Sequence, residues 1–325
     1  MTVTSELKRF EPKVHCGLAW PKITVVTPSL NQGVFLERTI QFVLRQNYSN
    51  LEYFVFDAGS TDESLSVLKK YDRELTYWTS ERDRGQSDAI SKGWMMATGD
   101  ILAWLNSDDF YYPKALETAA QIFDSSPNLM MLCGTVALVD EKERLVRLKE
   151  PPRLDPEMLL RWNNLPSQPG VFVRREVYER LGGPRLDLHY VMDWELWLRV
   201  CLNFPLRSIG FTNRIVAADR QWPGAKTSKA RGEDAREVRR VLSEMFSNNR
   251  VAERFKDIER PAFARAWWRQ SKGELKHGLR RSALSSLGRA LMLCPTAFHP
   301  LKVLRHARRI VFRRDSSPAS RVARS

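Results

Sequence analysis

The chain has 325 residues and a formal net charge of +14, and 43% of its residues are hydrophobic. This length suits one large α/β domain with an appendage, or two domains, and the apolar content excludes a chain that is disordered throughout. The four cysteines lie far apart without a CxxC pair, which indicates reduced cytoplasmic thiols rather than a disulfide or zinc framework. We predict neither a signal peptide nor a run of about 20 apolar residues that would cross a membrane.

Strands and helices are predicted to alternate through the first 140 residues. Apolar and β-branched runs predict strands at residues 23–28, 51–57, 75–80, 101–106 and 131–140. Helices are predicted between them, including one over 62–70 that a capping box of Ser60 and Glu63 would open. This alternation predicts a parallel sheet with helices on both faces, and ligands of such sheets bind beyond the carboxyl ends of the strands.

Polar residues follow several of the predicted strands, at the edge where a ligand is expected. They are Thr27, Pro28, Ser29, Asp57, Asp88, Asn106, Ser107, Asp108 and Asp109. Neighbouring carboxylates at a loop edge suit a hard divalent cation, whereas Asp57 and Asp88 suit hydrogen bonding to a nucleoside. For any single aspartate, a role in starting a turn or a helix remains an equal alternative.

Beyond residue 150 the sequence predicts a proline-rich loop, a strand followed by a helix, and a further helix over about 193–203. Asp193 falls at or near the start of this last helix, so it is either a local cap or a general base. The chain lacks the GxxxxGK[ST], GxGxxG, HExxH and GxSxG motifs. Their absence argues against a P-loop NTPase, a dinucleotide enzyme, a zinc peptidase and an α/β-hydrolase.

Several segments together resemble the family 2 glycosyltransferases. They are ITVVTPSLNQGVFLERTIQFVLRQNYSNLEYFVFDAGSTDES, ERDRGQSDAISKGWMMATGDILAWLNSDD, QPGVFVRREVYERLGG and MDWELWLR. The resemblance covers about residues 20–230 and implies a GT-A fold, an α/β architecture with a Rossmann-like, mostly parallel sheet flanked by helices. It also implies an inverting transfer of sugar from a nucleotide-diphosphate donor to a hydroxyl of a saccharide or lipid-linked acceptor. We expect such an enzyme to serve cell-surface polysaccharide or glycolipid synthesis.

The resemblance implies a role for each matching residue. The implied nucleotide-binding residues are Thr27, Pro28, Ser29, Asp57, Asp88, Asn106 and Ser107. Asp108 would hold Mg²⁺ or Mn²⁺ beside the departing diphosphate, and Asp193 would be the catalytic base. The residues expected to border the donor or acceptor are Asp109, Gln168 and Lys226. Because Asp57 suits a uracil N–H, a UDP-sugar is the favoured donor, although thymine and guanine also offer such a group.

Three positions depart from the family pattern. Asn106 stands where an acid is usual, and Ser91 stands where asparagine is frequent. In RQWPGAKT, which resembles RxHxxSKT, Trp222 replaces a histidine that would help to bind metal or diphosphate, while Lys226 is retained. A degenerate, inactive relative is therefore one alternative.

The positive charge is concentrated at the end of the chain, since residues 251–325 carry +13 of the net +14. We predict an N-terminal extension over 1–20, a glycosyltransferase domain over 21–230 and a helical, basic extension over 231–325. Residues 273–294 predict a helix that packs through Leu284, Leu287 and Leu291.

Residues 301–314 predict an amphipathic helix. Its apolar side is expected to hold Val303, Leu304, Ile310 and Val311, and its basic side Lys302, Arg305, Arg309 and Arg313. Two interpretations are equally open: residues 295–325 bind an anionic membrane on its cytoplasmic face, or the helix packs on the domain.

Two functions of other classes are alternatives. A nucleotidyltransferase would use a similar sheet, but TPSLNQGVF lacks the basic residues of a triphosphate loop. A non-catalytic nucleotide- or nucleic-acid-binding protein would use the basic tail. We expect no nucleic acid partner, because the tail lacks interleaved aromatic residues apart from Trp267 and Trp268.

Overall fold

The computed structural model describes residues 20–161 and 165–312. Contacts divide the chain into two compact units: the first holds Met1–Leu159 and Asn164–Pro223, and the second holds Leu160–Asn163 and Gly224–Ser325. The predicted domain boundaries at residues 20 and 230 stay predictions.

The first unit contains one nine-stranded sheet. Its strands are β1 (Ile23–Ser29), β2 (Leu51–Asp57), β3 (Tyr77–Ser80), β4 (Ile101–Trp104), β5 (Phe110–Tyr111), β6 (Met131–Val139), β7 (Leu145–Lys149), β8 (Val171–Arg174) and β9 (Ile209–Arg220). The spatial order is β3-β2-β1-β4-β8-β6-β9-β5, and β7 pairs with β6. Strands β3, β2, β1 and β4 are mutually parallel, so their carboxyl ends share one edge.

Helices flank this sheet, as the alternation in the sequence predicts. They are α1 (Gly33–Leu44), α2 (Ser64–Lys70), α3 (Gln86–Met96), α4 (Ala115–Asp124), α5 (Pro156–Leu160), α6 (Arg175–Leu181) and α7 (Met192–Asn203). Short 3₁₀ turns cover Gln168–Gly170 and Leu206–Ser208. Beyond β4 the sheet is mixed, because β8 runs antiparallel to both β4 and β6 while β9 runs parallel to β6.

The second unit is helical. Its helices are α8 (Lys226–Lys229), α9 (Glu233–Ser247), α10 (Asn249–Arg254), α11 (Lys256–Lys276), α12 (Arg280–Leu293) and α13 (Pro300–Phe312), with a 3₁₀ turn over Pro295–Ala297. Within the described parts of the chain, no helix is both long and apolar enough to cross a membrane. Cys133, Cys201 and Cys294 are free thiols, and Cys16 lies outside the described residues.

Close backbone packing fixes the parallel half of the sheet. Every side chain of β1 and β4 is buried. A Cβ atom added to Gly93 of α3 would lie 2.5 Å from a methyl group of Val26, so only glycine lets α3 approach β1 this closely. The site-bearing edge is therefore positioned by a dry, tightly packed layer rather than by mobile loops.

Two local predictions are wrong. Ser60 and Glu63 form no capping box, because Asp62 Oδ1 accepts the Ser64 N–H at 3.0 Å while Ser60 bonds to Asp57. The helix predicted over 273–294 is interrupted, since α11 ends at Lys276 and α12 begins at Arg280.

The helix predicted over residues 301–314 is present as α13, and its apolar side is only partly buried. Ile310 is buried against the core of the second unit, whereas Leu304 and Val311 are more than half exposed. Arg313 lies outside the described residues. The helix therefore packs on its unit through part of the predicted apolar side and leaves the rest exposed.

Candidate functional site

The carboxyl ends of β1 and β2 meet around Asp57. Its buried carboxylate accepts hydrogen bonds from the Ser60 N–H at 2.8 Å, from the Ser60 hydroxyl, and from Ser80 Oγ at 2.7 Å. Two carboxylate oxygens offer about four acceptor positions, so one remains for a ligand. Beside it, the buried Ser29 Oγ has no hydrogen-bond partner among the described residues. Thr27, in contrast, is paired with the Tyr53 hydroxyl at 3.1 Å, and Pro28 is buried within β1.

Asp88 lies in the first turn of α3, which begins after Gly85. Gly85 has a φ of 108°, a conformation that side chains disfavour, and this lets the chain turn into the helix. Burial alone would raise the pKa of Asp88, but hydrogen bonds from Arg84 and Lys92 lower it to about 2. The carboxylate is therefore charged and already paired with two cations.

The loop between β4 and β5, residues 105–109, carries the other predicted polar residues. Asn106 links two parts of the site, since its Oδ1 accepts from Gln86 Nε2 at 2.6 Å and its Nδ2 donates to Asp109 at 3.2 Å. Both ends of the Asn106 amide are thus engaged within the protein. Asp109 is almost fully buried, so it supports the loop rather than facing solvent.

Asp109 is held by Arg220, at the end of β9. The backbone N–H of Arg220 donates to Asp109 Oδ1 at 2.9 Å, and its Nε donates to the Asp108 carbonyl at 2.8 Å. Burial raises the pKa of Asp109 well above its usual range, and the charges of Asp108 and Asp219 raise it further. Burial and the charge of Asp108 likewise raise the pKa of Asp219. Three carboxyl groups therefore repel one another at this loop.

Asp108 is half-buried, as is Asp219. Its Oδ2 accepts from Trp222 Nε1 at 2.9 Å and from Gln32 Nε2 at 3.5 Å. Burial raises its pKa, although the Trp222 hydrogen bond opposes this. Gln32 also accepts a hydrogen bond from Ser107, and Trp222 packs edge-on against Phe35 with ring centroids 5.0 Å apart. The residue in the place of the family histidine therefore binds the carboxylate directly.

The donor set around Asp108 fits a divalent cation that a substrate helps to hold. The described residues contain no group of three or more His, Cys, Asp or Glu that would enclose a metal. Mg²⁺ sites commonly use one or two carboxylates and leave the other positions to water and substrate phosphates. Positive charge there would also relieve the repulsion among Asp108, Asp109 and Asp219.

Asp193 is the second residue of α7, where free backbone N–H groups favour a carboxylate. Its Oδ1 accepts from the Trp194 N–H at 2.7 Å, and the side chain is half-buried. One turn later, Trp197 stacks on Trp104, the last residue of β4, with centroids 5.4 Å apart. Residues four apart share a helix face, so Asp193 lies on the side of α7 that packs at the end of β4.

Gln168 also lies at the end of β4. Its Nε2 donates to the Trp104 carbonyl at 2.8 Å, whereas its Oε1 is buried and has no partner among the described residues. Lys226 is the first residue of α8 and belongs to the second unit, so its role toward the donor stays a prediction.

Comparisons with known proteins identify the segment that carries this edge. Residues 24–182 match the model of glycosyl transferase family 2. This segment, just under half of the chain, resembles glycosyltransferase family 2. It is 24% identical over 218 residues to an uncharacterized glycosyltransferase of Rickettsia prowazekii, covering 65% of this chain and 67% of that protein. It is 29% identical over 184 residues to one of Mycobacterium tuberculosis, covering 56% and 70%.

Solved glycosyltransferases share the GT-A fold of this chain. The mannosyltransferase PcManGT of Pyrobaculum calidifontis, in complex with GDP-Man and Mn²⁺, matches with a TM-score of 0.60 at 16% identity, covering 94% of this chain and 88% of that one. TarS of S. aureus, in complex with UDP-GlcNAc, matches with a TM-score of 0.59 at 16% identity, covering 87% and 82%. The predicted family and fold class are confirmed.

Two residues that contact the candidate site were not predicted. Gln32 and Arg220 contact the β4–β5 loop from positions 76 and 112 residues away from Asp108. Neither residue type suggests catalysis by itself. Arg220 is the first residue of RQWPGAKT. The resemblance of that segment to RxHxxSKT was the sequence signal that could have identified Arg220.

Proposed function

We propose that the chain transfers a sugar from a nucleotide-diphosphate sugar, with UDP-sugars favoured, to an acceptor hydroxyl with inversion at the anomeric carbon. The observation that carries this proposal is the shared edge of β1, β2 and β4. There, Asp57 lies beside the unpartnered Ser29 hydroxyl, and the half-buried Asp108 follows β4. A nucleotide at one end of this edge would satisfy Asp57 and Ser29, and a diphosphate at the other end would need a cation to lie beside the Asp108 carboxylate.

The nucleotide is proposed to bind at the ends of β1 and β2. The remaining acceptor position of Asp57 would take the N–H of a uracil ring, and Ser29 Oγ would donate to the nucleotide. Asp88 is less suited to direct contact, because Arg84 and Lys92 already pair with it. We therefore assign Asp88 to holding the start of α3 against the nucleotide. Fold relatives that bind UDP-GlcNAc and GDP-Man are consistent with a nucleotide-sugar donor.

Asp193 is proposed as the catalytic base. It would take the proton of the acceptor hydroxyl, whose oxygen then attacks the anomeric carbon. The bond from that carbon to the diphosphate oxygen breaks, and its electron pair leaves with the nucleotide. A carboxylate at the start of α7 suits this role, because the free backbone N–H groups of the first helical turn interact favourably with negative charge and Trp197 fixes the helix on β4.

Asp108 is proposed to hold Mg²⁺ or Mn²⁺. When bound, such an ion supplies positive charge next to the departing diphosphate. Gln32 and Arg220 orient the β4–β5 loop through its Asp108 side chain and carbonyl, and Asn106 and Asp109 brace it from inside. The protein thereby presents one carboxylate in a fixed position instead of a complete metal cage.

The acceptor is proposed to be a saccharide or a lipid-linked saccharide of cell-surface synthesis, bordered by Gln168. The unpartnered Gln168 Oε1 would accept a hydrogen bond from an acceptor hydroxyl at the end of β4. We also propose peripheral attachment to an anionic membrane on its cytoplasmic face. The exposed Leu301, Leu304 and Val311 of α13 are the apolar residues available for it.

A screen of UDP-, GDP- and dTDP-sugars with Mn²⁺ tests the transfer function. We expect nucleotide release from a UDP-sugar, and Asp193→Asn should lower kcat by about 10²–10⁴ while donor binding persists. Glu176→Gln, which removes an exposed carboxylate of α6, is the matched control. Near-normal turnover of Asp193→Asn would overturn the assignment of the base. Pyrophosphate release from a nucleoside triphosphate and a sugar phosphate would instead support the nucleotidyltransferase alternative.

Flotation with anionic vesicles tests the membrane proposal. Replacing Leu301, Leu304 and Val311 with serine removes exposed apolar area and leaves the packed Ile310 in place. We expect this variant to float less than the unmodified protein. Equal flotation of the two proteins would end the membrane proposal for α13.

A further inference from the structure

The second unit contains a cavity of about 840 Å³ whose lining residues all fall between Thr227 and Arg309. Eight lysines and arginines line it, and among the described lining residues Asp234 is the one carboxylate. We call it the basic cavity and define it by six of these side chains: Arg265, Arg269 and Lys272 of α11, and Lys302, Arg305 and Arg309 of α13. Two helices thus bring like charges together around one concave space.

Aromatic rings form a rigid part of the cavity wall. Trp268 stacks on Phe298 with ring centroids 4.9 Å apart and lies 4.9 Å from the His306 ring. Ser271 Oγ donates to the Ala283 carbonyl at 2.6 Å, so it accepts from His306 Nε2 at 2.9 Å. Burial lowers the pKa of His306, and the charges of Lys272 and Arg309 lower it further. The wall is therefore neutral and fixed, and the charge is carried by the lysines and arginines around it.

The positive charges that α13 adds to the cavity lack a carboxylate partner among the described residues. Burial lowers the pKa of Lys272, and the nearby charges of Arg269, Lys302 and Arg309 lower it further. None of Lys302, Arg305 and Arg309 forms an ion pair with a carboxylate in the part of the chain that the structure describes. Apart from the half-buried Arg265, the six side chains that define the cavity are exposed to solvent, and α11 and α13 bring them around one concave space.

A buried donor also lacks a partner at the cavity. Arg265 Nε is buried and forms no hydrogen bond with any described residue. Leaving a buried donor unsatisfied costs about 1–3 kcal/mol, and more when the group is charged. An acceptor supplied by a ligand would satisfy it.

We propose that the basic cavity binds a phosphate group with at least two negative charges, as found in diphosphates and phosphate monoesters. Arginine recognises phosphate through paired N–H donors, and lysine adds a compact positive charge. Such a ligand would offset the mutual repulsion of the lining residues and accept from Arg265. The phosphate comes either from a soluble compound or from the headgroup of a membrane lipid. This inference does not rest on the proposed transfer reaction, because the lining belongs entirely to the second unit.

Binding of inorganic pyrophosphate to the full chain, measured by calorimetry at low salt without metal, tests the soluble source. Sedimentation with phosphatidylcholine vesicles, with and without phosphatidic acid, tests the lipid source. The lining variant carries Lys302→Gln, Arg305→Gln and Arg309→Gln. The control variant carries Arg250→Gln, Arg281→Gln and Arg308→Gln, which removes the same charge from exposed positions outside the cavity.

We expect the lining variant to bind at least one probe about tenfold more weakly than the unmodified protein, and the control variant to bind it almost normally. Loss confined to pyrophosphate identifies a soluble ligand, and loss confined to phosphatidic acid vesicles identifies a lipid headgroup; both support the site. Equal weakening in the two variants would show attraction to net charge alone and overturn the proposal. Binding of neither probe by the unmodified protein would also overturn it.

Discussion

The β4–β5 loop and the basic cavity concentrate opposite charges, and their charged side chains differ in the partners that the protein provides. At the loop, Asp108 and Asp109 accept hydrogen bonds from fixed donors, namely Trp222 Nε1 and the Arg220 backbone. At the cavity, Lys302 and Arg309 form no ion pair with a described carboxylate, and Arg265 Nε has no partner. The acidic side chains therefore have hydrogen-bond donors within the protein, whereas these basic side chains lack acceptors among the residues that the structure describes.

This difference separates the proposed reaction site from the proposed anion-binding site. Burial raises the pKa of Asp108 and lowers the pKa of Lys272. In each region the surroundings therefore disfavour the charged form of the side chain. A cation would relieve the first region and an anion the second. We therefore expect each region to bind a ligand of opposite charge.

Among the variants that test the acidic loop, the largest effect is expected from Asp108→Asn. The substitution removes the one half-buried carboxylate proposed to hold the metal beside the diphosphate. We expect kcat/KM for donor turnover to fall by about 10²–10³ in saturating Mn²⁺, because charge stabilisation of the leaving group is lost. Steady-state kinetics of Asp108→Asn, with Glu176→Gln as the matched control, measures the effect. A loss smaller than about threefold would contradict the metal assignment of Asp108.

A smaller, structural effect is expected from Arg220→Gln. The guanidinium is buried, donates to the Asp108 carbonyl at 2.8 Å and pairs with Glu143 at 3.2 Å. Removing one partner of a buried ion pair costs about 3–5 kcal/mol. We expect the urea unfolding transition of the first unit to lose about 3 kcal/mol.

The matched control for Arg220→Gln is Arg180→Gln, which breaks an exposed pair with Glu176 on α6. Exposed pairs of this kind contribute about 0.5 kcal/mol or less, so the transition should hardly move. Similar losses in Arg180→Gln and Arg220→Gln would show that Arg220 does not organise the site.

The smallest effect is expected from Trp222→Phe. This change keeps a ring to pack against Phe35 but removes the N–H that bonds to Asp108 Oδ2 at 2.9 Å. A hydrogen bond of this type contributes about 1 kcal/mol, so its loss should tighten Mn²⁺ binding in the presence of UDP by about fivefold. Electron paramagnetic resonance of free Mn²⁺ measures this. Unchanged or weaker binding would show that Trp222 does not compete with the metal for Asp108.

The parallel half of the sheet was predictable because its signals are local. The runs at Ile23–Ser29 and Leu51–Asp57 are buried and rich in apolar residues, and turn residues bound them. Period and composition therefore locate these strands within one or two residues. The carboxyl-end rule then directs attention to Asp57 and Asp108 without any knowledge of tertiary contacts.

What could not be predicted depends on distant contacts. Arg220 reaches Asp108 across 112 residues, and no local pattern encodes that pairing. Periodicity places Leu304 and Ile310 on one side of α13, but only tertiary packing decides that Ile310 is buried and Leu304 exposed. The cavity charges likewise come together only when α13 packs against α12 and the residues of α11 line the same space.

The most direct test compares the binding of two ligands to two variants. The ligands are UDP with Mn²⁺, and pyrophosphate or phosphatidic acid vesicles without metal. We predict that Asp108→Asn loses Mn²⁺-dependent UDP binding and keeps the metal-free binding. The Lys302, Arg305 and Arg309 lining variant should show the reverse. Loss of both activities in either variant, or of the wrong one, would contradict the claim that the acidic loop and the basic cavity are separate sites of opposite charge.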